Sequence, residues 1–329
     1  MREEHTLVTG IHHVTSCVGR AQEDIDFMTK VIGQRMIKQT VLLDGTTPIY
    51  HLYYANKNAE VGTVMTTFPY RQAGIMGRRG SGQIAGTCYS VAENSLDFWV
   101  NHLNKHKVKH SGIQKRFGQN VISFPDPAGN VYELVGDDRD KRAGWTTSEI
   151  SEANSVKGFN YIVMSVRDVQ SQHDYFVDGL GFKKSGEEGA FHRYDIQGGG
   201  PCKTVVLKHE PNLPQGSWTF GEGTVHHVAF AVANDEVQMK LKLFLEGLGY
   251  TDVSESKNRG YFHSVYLRSP GGILTEFATT DIGFMVDEKL EELGQHMLLP
   301  PWLEDRRAEL IAPLEKIVVP ESNRLKAST

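Results

Sequence analysis

The chain has 329 residues, 39% hydrophobic and 23% charged, which is the usage of an ordinary globular protein of one large or two average domains. A net charge of −5 excludes a basic nucleic-acid surface, and no apolar run approaches the roughly 18–20 residues that span a bilayer. Cys17, Cys88 and Cys202 form an odd set without CxxC spacing, which excludes a disulfide scaffold and a cysteine zinc site. Together with a polar Met1–His5 that lacks a signal-peptide core, they set the expectation of a cytoplasmic protein.

In chain order, one unit repeats four times. Ile11–Val18 (IHHVTSCV) alternates as a strand, and AQEDIDFMTKVIGQR follows with Ile25, Phe27, Met28, Val31 and Ile32 at helical spacing. The same pair recurs at Ile84–Val91 with ENSLDFWVNHLNKH and at Phe159–Val166 with RDVQSQHDYFVDGLGFK. It recurs once more at Val225–Val232 with NDEVQMKLKLFLEGLGY. Two or three strand-like runs close each unit; in the fourth, Tyr261–Leu267 and Gly272–Ala278 flank a Ser-Pro-Gly-Gly turn. The unit is therefore βαβββ, and the fold class α+β. Residues 8–138 hold two units and 157–282 hold two, joined by a charged, Ser/Thr-rich linker at 139–156. The tail, 283–329, reads as two short helices, EKLEELGQHM and WLEDRRAELIAPLEKI, placed to cover a site, to contact another copy, or simply to decorate the surface.

Aligning the four first strands sets His13 against Gly86, Tyr161 and His227, and aligning the last strands sets Glu133 against Glu276. The corresponding stretches TVMTTF and TVVLK offer no carboxylate. A strand histidine by itself is usually a hydrogen-bonded core residue. Two His-His pairs at one repeat position, with a carboxylate on a nearby strand, point instead to a metal. Two imidazoles and one carboxylate are the facial set that suits Fe(II) and leaves three adjacent positions open for substrate and O2; Mn(II) fits the same donors. Strand alternation puts Thr15 and Cys17 on the face of His13, Ala229 and Ala231 on that of His227, and Leu274 and Ala278 on that of Glu276. It sends His12 and His226 to the opposite face, against helices. Glu133 reads as a relic ligand or a surface carboxylate.

Long blocks carry a resemblance. They are IHHVT, AQEDIDF (21–27), PIYHLYYA (48–55), GTVMTTFP (62–69), PQGSWTF (214–220), EGTVHHVAFAV (222–232), KNRGYF (257–262) and SPGG (269–272). Over about 8–285 the chain resembles the vicinal oxygen chelate superfamily. Within it, the chain is similar to the hydroquinone and chlorohydroquinone ring-cleaving 1,2-dioxygenases and the related bacterial proteins of quinone resistance. The resemblance implies two open, barrel-like mixed sheets of the glyoxalase and extradiol dioxygenase kind, with the first and fourth units closing around one site. It implies iron on His13, His227 and Glu276, and it brings His12, Thr15, His226, Arg259 and Tyr266 to the pocket, against the alternation reading of His12 and His226.

The implied substrates are a small hydroquinone and O2, with ring opening between C1 and C2. Arg259 would then supply positive charge beside a developing oxyanion, Tyr266 a hydrogen bond, and His226 acid–base function. Taken without the resemblance, Arg259 reads as a turn charge, Tyr266 as core and Thr15 as a β-branched strand residue. The same scaffold hosts glyoxalase-type isomerases, thiol transferases, metal-free binding proteins and catechol dioxygenases. A glyoxalase-type site wants a fourth protein ligand, which TVMTTF lacks. His263 departs from the family pattern, which leaves the ring substituents open, and the sequence leaves a homo-oligomer open as well.

Overall fold

The computed structural model describes residues 6–42 and 48–324, so Met1–His5 lies outside the described residues. Unit one comprises strand β1 (Gly10–Val18), helix α1 (Ala21–Asp26) running on as a π-helical turn (Phe27–Val31), and strands β2 (Arg35–Val41), β3 (Tyr50–Ala55) and β4 (Val64–Pro69). Unit two comprises β5 (Gln83–Val91), α2 (Leu96–Lys105), β6 (Ile113–Arg116), β7 (Gln119–Pro125) and β8 (Val131–Gly136). Unit three comprises β9 (Gly158–Val166), α3 (Val169–Asp174) with a π-helical turn (Tyr175–Gly179), β10 (Lys183–Glu188), β11 (Phe191–Asp195) and β12 (Thr204–His209). Unit four comprises β13 (Thr224–Val232), α4 (Asp235–Gly247), β14 (Lys257–Asn258), β15 (His263–Arg268) and β16 (Leu274–Thr279). The βαβββ order expected from the sequence is present in all four.

The strands form two curled eight-stranded sheets, ordered β14-β15-β16-β13-β1-β4-β3-β2 and β10-β11-β12-β9-β5-β8-β7-β6. β1 runs antiparallel to β13 and parallel to β4, so the sheets are mixed. Unit one therefore pairs with unit four and unit two with unit three. The stretches 8–138 and 157–282 are not the two sheets, because each gives one unit to both.

Alternation divides the apolar residues. Val228, Phe230, Phe277, Tyr89 and Phe159 join the main core with the helices, while Ala229, Ala278, Tyr53, Phe262 and Phe284 pack inside the first sheet. Among the described residues no helix is long and apolar enough to cross a membrane.

The tail departs from expectation. EKLEELGQHM is a run of turns, whereas WLEDRRAELI winds up as a 3-10 turn (Pro301–Arg306) and the short helix α5 (Arg307–Ile311). Gly294 explains the first part. Its φ is +72°, and a Cβ there would lie 2.3 Å from Met36 O, so the chain presses its backbone onto β2 where a helix could not. Gln39 donates to Gly294 O (2.7 Å), and Asn323 brackets Met36 through both backbone groups (2.6 and 2.9 Å). Buried Lys38 pairs with Glu288 at 2.7 Å and with Asp287. The tail thus covers an edge strand that would otherwise expose unpaired backbone.

Asp24 of α1 is buried and accepts from Tyr54 Oη (2.8 Å) and Thr67 Oγ1 (2.6 Å), which pins α1 to β3 and β4 behind the site. Burial, against those two hydrogen bonds and with nearby Asp126 adding to it, raises its carboxyl to about 7. The unfolded chain then binds fewer protons between the ordinary carboxylate range and pH 7, so this group's stability contribution is full at acid pH and lost as pH rises through 7. Asp24→Asn keeps the acceptor and removes the titration. Its denaturation midpoint should fall less between pH 5 and 8 than that of the wild type, and a parallel pH profile for both would refute this.

Candidate metal centre

Two bulges build the site. On β1, Ile11 faces Phe230 and His13 faces Ala229, so His12 is an extra residue; on β13, Thr15 faces His227 and Ser16 faces Val225, so His226 is the extra one. A bulge turns its extra residue out of strict alternation. His12 and His226 consequently lie beside their neighbours rather than against helices. His12 Nδ1 is 2.9 Å from His13 Nδ1, and His226 Nδ1 is 2.7 Å from His227 Nδ1. The second sheet has the same bulges, at Ala85 and Asn160.

His13, His227 and Glu276 meet on the concave face of the first sheet, all three at most 5% exposed. His13 Nε2 and His227 Nε2 are 3.1 Å apart, and Glu276 Oε2 is 2.8 Å from His227 Nε2 and 3.5 Å from His13 Nε2. Ser264 donates to the other oxygen of Glu276. Glu276 Oε2 is buried without a hydrogen bond despite these neighbours. Two ring nitrogens and a carboxylate oxygen thus converge on one point, a buried donor set that a cation would satisfy. Cis ligands about 2.1 Å from a metal stand about 3.0 Å apart, close to the three separations observed. The residues present therefore fit a divalent metal.

Burial would raise the Glu276 carboxyl, but His13 and His227 outweigh it and hold the group well below the ordinary carboxylate range. Burial lowers His227, against the pull of Glu276, and so favours the neutral imidazole a metal needs.

Register identifies the residue equivalent to Glu276 in each unit. Thr66 opposes Thr15, Glu133 opposes Cys88, Val206 opposes Val163, and Glu276 opposes Ala229. Where a symmetric fourth ligand would stand, unit one therefore has Thr66. In the second sheet, Glu133 is buried rather than at the surface. Arg116 clamps both its oxygens, Ser123 Oγ donates at 2.8 Å, and Cys88 Sγ lies at 3.1 Å. A fixed guanidinium occupies this pseudo-site, so only the first sheet keeps an open one.

A cavity of about 440 Å³ opens over the triad, within the roughly 300–1,000 Å³ of small-molecule sites. Leu42, Phe68, Tyr70, Phe262 and Leu274 line it, with Thr15, His226, Arg259 and Tyr266 among its polar groups. His12 is not in the lining. It stands behind His13, its Nε2 3.2 Å from Thr279 O and its ring against Phe262 and Phe284. Arg259 Nε donates to Tyr266 Oη (3.1 Å), so the two groups face the cavity as a pair. Burial foremost, with Glu276 adding, raises Tyr266 well above its usual value, so it stays neutral. Burial and then His227 push His226 well below 6.5.

Sequence reasoning missed His51, Tyr53 and Thr66. Thr15 Oγ1, 2.9 Å from His227 Nε2, bonds Thr66 Oγ1 (2.7 Å), which bonds His51 Nε2 (3.0 Å), whose Nδ1 meets Tyr53 Oη (3.1 Å). The available signal was position, since all three lie in the blocks PIYHLYYA and GTVMTTFP. Burial keeps His51 neutral, so the chain fixes hydroxyl directions rather than storing a proton.

The sequence profile of the Glyoxalase/Bleomycin resistance protein/Dioxygenase superfamily matches residues 10–134. The chlorohydroquinone/hydroquinone 1,2-dioxygenase of Sphingobium indicum is 39% identical over 314 residues, covering 95% of this chain and 98% of that one. MhqO, a Bacillus subtilis protein provisionally named a ring-cleaving dioxygenase, is 36% identical, covering 92% and 94%. A crystal structure of a Bacillus subtilis protein assigned as a dioxygenase superposes with a TM-score of 0.89 at 34% identity, over 95% of this chain and 99% of that one. Glyoxalase I of Zea mays, at 12% identity and a TM-score of 0.59 over 82% and 92%, shares the fold. With four βαβββ units, the clustered His13, His227 and Glu276 on one sheet and relatives matched along almost their whole length, the chain belongs to the glyoxalase/bleomycin resistance protein/dioxygenase superfamily and, within it, to the ring-cleaving dioxygenases.

Proposed function

We propose that this protein is an Fe(II)-dependent dioxygenase that opens the ring of a substituted or unsubstituted hydroquinone between a hydroxyl-bearing carbon and its neighbour. The observation that carries the reading is the buried His13/His227/Glu276 face, with Thr66 in place of a fourth ligand, beneath a cavity walled by aromatic side chains. The relative from Sphingobium indicum supports the substrate class. Thr66 also counts against a glyoxalase-type isomerase, which would need a ligand there.

Bound iron would lower the pKa of a coordinated substrate hydroxyl and bring O2 alongside it. The protein's own groups do the rest. Phe68, Phe262 and Leu274 hold the ring and exclude water, and Arg259 places positive charge where oxyanion character develops. Tyr266, held by the Arg259 hydrogen bond, presents its neutral hydroxyl at the cavity wall. With His227 bound through Nε2, its Nδ1–H donates to His226 Nδ1, so neutral His226 offers Nε2–H to substrate or oxygen. The Thr15–Thr66–His51–Tyr53 chain aims the Thr15 hydroxyl at the same space. His12 Nδ1 accepts the hydrogen bond of His13 Nδ1–H, and His12 Nε2–H in turn donates to Thr279 O.

Protein reconstituted anaerobically with Fe(II) is expected to consume one O2 per hydroquinone and to give a ring-opened product absorbing at longer wavelength. Uptake with catechol and none with hydroquinone would reassign the substrate. No uptake with either would defeat the proposal.

A further inference from the structure

Away from the cavity, a second group of ligand-type side chains converges at the end of α2. His102 and His106 stand one helical turn apart, ring centroids 4.5 Å from each other, and Glu149 of the 139–156 linker meets them both. Glu149 Oε2 is 3.1 Å from His106 Nε2 and 3.8 Å from His102 Nδ1. His102 is buried, with Nε2 3.1 Å from Val31 O, so that nitrogen carries the proton and Nδ1 turns its lone pair toward Glu149. Lys105 holds the other carboxylate oxygen, Oε1, at 2.9 Å. An ion pair of Lys105, His106 and Glu149 needs nothing of His102, yet the buried ring presents its Nδ1 to the same oxygen. The Lys105 contact fixes the carboxylate and leaves Oε2 as the ligand atom, the role an outer-shell partner plays at a metal site. The last carbonyls of α2 add negative potential that favours a cation. Glu149 is 38% exposed, so water can complete the coordination.

We propose that His102, His106 and Glu149 form a second divalent-metal site, suited by two imidazoles and one carboxylate to Zn(II) and related borderline ions. Binding would replace the contact between His106 Nε2 and Glu149 Oε2 with two metal–ligand bonds. The site joins α2 of unit two, the linker and, through Val31, the helix of unit one, and these units belong to different sheets. A bound metal therefore clamps the junction of the two sheets without entering the cavity.

Zinc chloride titrated calorimetrically into the full-length His227→Ala protein tests this, because that variant lacks the cavity site. One equivalent is expected, with a rise in Tm. His106→Gln or Glu149→Gln in the same background should weaken uptake about tenfold or more and abolish the rise. Both positions are part-exposed, and each variant checks the other. A parallel titration of wild type already loaded with Fe(II) should show the same additional equivalent. No uptake by His227→Ala, or uptake unchanged in both double variants, overturns the proposal, whatever the fate of the ring-cleavage reading.

Discussion

His227→Ala is expected to lose iron from the cavity and to reduce kcat/KM for ring cleavage well beyond hundredfold. Removing an outer partner of a metal ligand costs about 10–100-fold, and His227 is closer to the chemistry than that. It contributes the Nε2 that stands 3.1 Å from His13 Nε2 and 2.8 Å from Glu276 Oε2, so its loss leaves two donors where three define the open face. Glu276→Gln should act likewise, because it keeps the shape and removes the charge that neutralises the cation. His226→Gln offers the contrast: iron content should hold while kcat falls, since His226 touches the metal site only through His227 Nδ1. Iron analysis with oxygen-electrode kinetics reads both quantities. A His227→Ala protein that kept iron and O2 uptake would remove the triad from consideration.

Arg116→Ala is expected to cost about 3–5 kcal/mol of stability, because it strands the Glu133 carboxylate in a buried site. Arg116 is 15% exposed and Glu133 6% at the side chain, so water does little to soften the loss. Arg116 also bonds Tyr161 Oη (3.1 Å) and lies 4.5 Å over the Phe191 ring, so cutting it back loosens β6, β9 and β11 together. The paired change Arg116→Met with Glu133→Gln removes both charges and should recover most of the loss. Chemical denaturation measures these differences, and activity per folded molecule should stay near that of the wild type because the pseudo-site belongs to the other sheet. Equal stability of Arg116→Ala and wild type would show the pair to be unimportant.

The sequence carried most of the local structure, and the reasons are local ones. Period-two and helical patterns recur in IHHVTSCV, VHHVAFAV and the helices after them, so four βαβββ units are readable without a fold. His13, His227 and Glu276 were identifiable because a repeat exposes what differs between copies. The tail misled because EKLEELGQHM has helix-forming residues, while Gly294 is used for close contact with β2. His12 and His226 misled because a bulge depends on pairing with a partner strand, which strand alternation cannot register.

By itself, then, the sequence determined the repeated unit, the candidate residues His13, His227 and Glu276, and the family resemblance, since these rest on residue identity and short-range periodicity. The tertiary structure decided which units pair, and it set Thr66 at the place symmetric with Glu276. It also filled the second sheet's site with Arg116, linked Thr15 to Tyr53 through His51, and drew Glu149 to the histidines of α2. Each of these joins residues far apart in the chain or on different strands, where strand register and burial set the contact and no local propensity does. The physical cause is the same throughout: a buried polar group must find a partner, and only the folded chain says which partner is within reach.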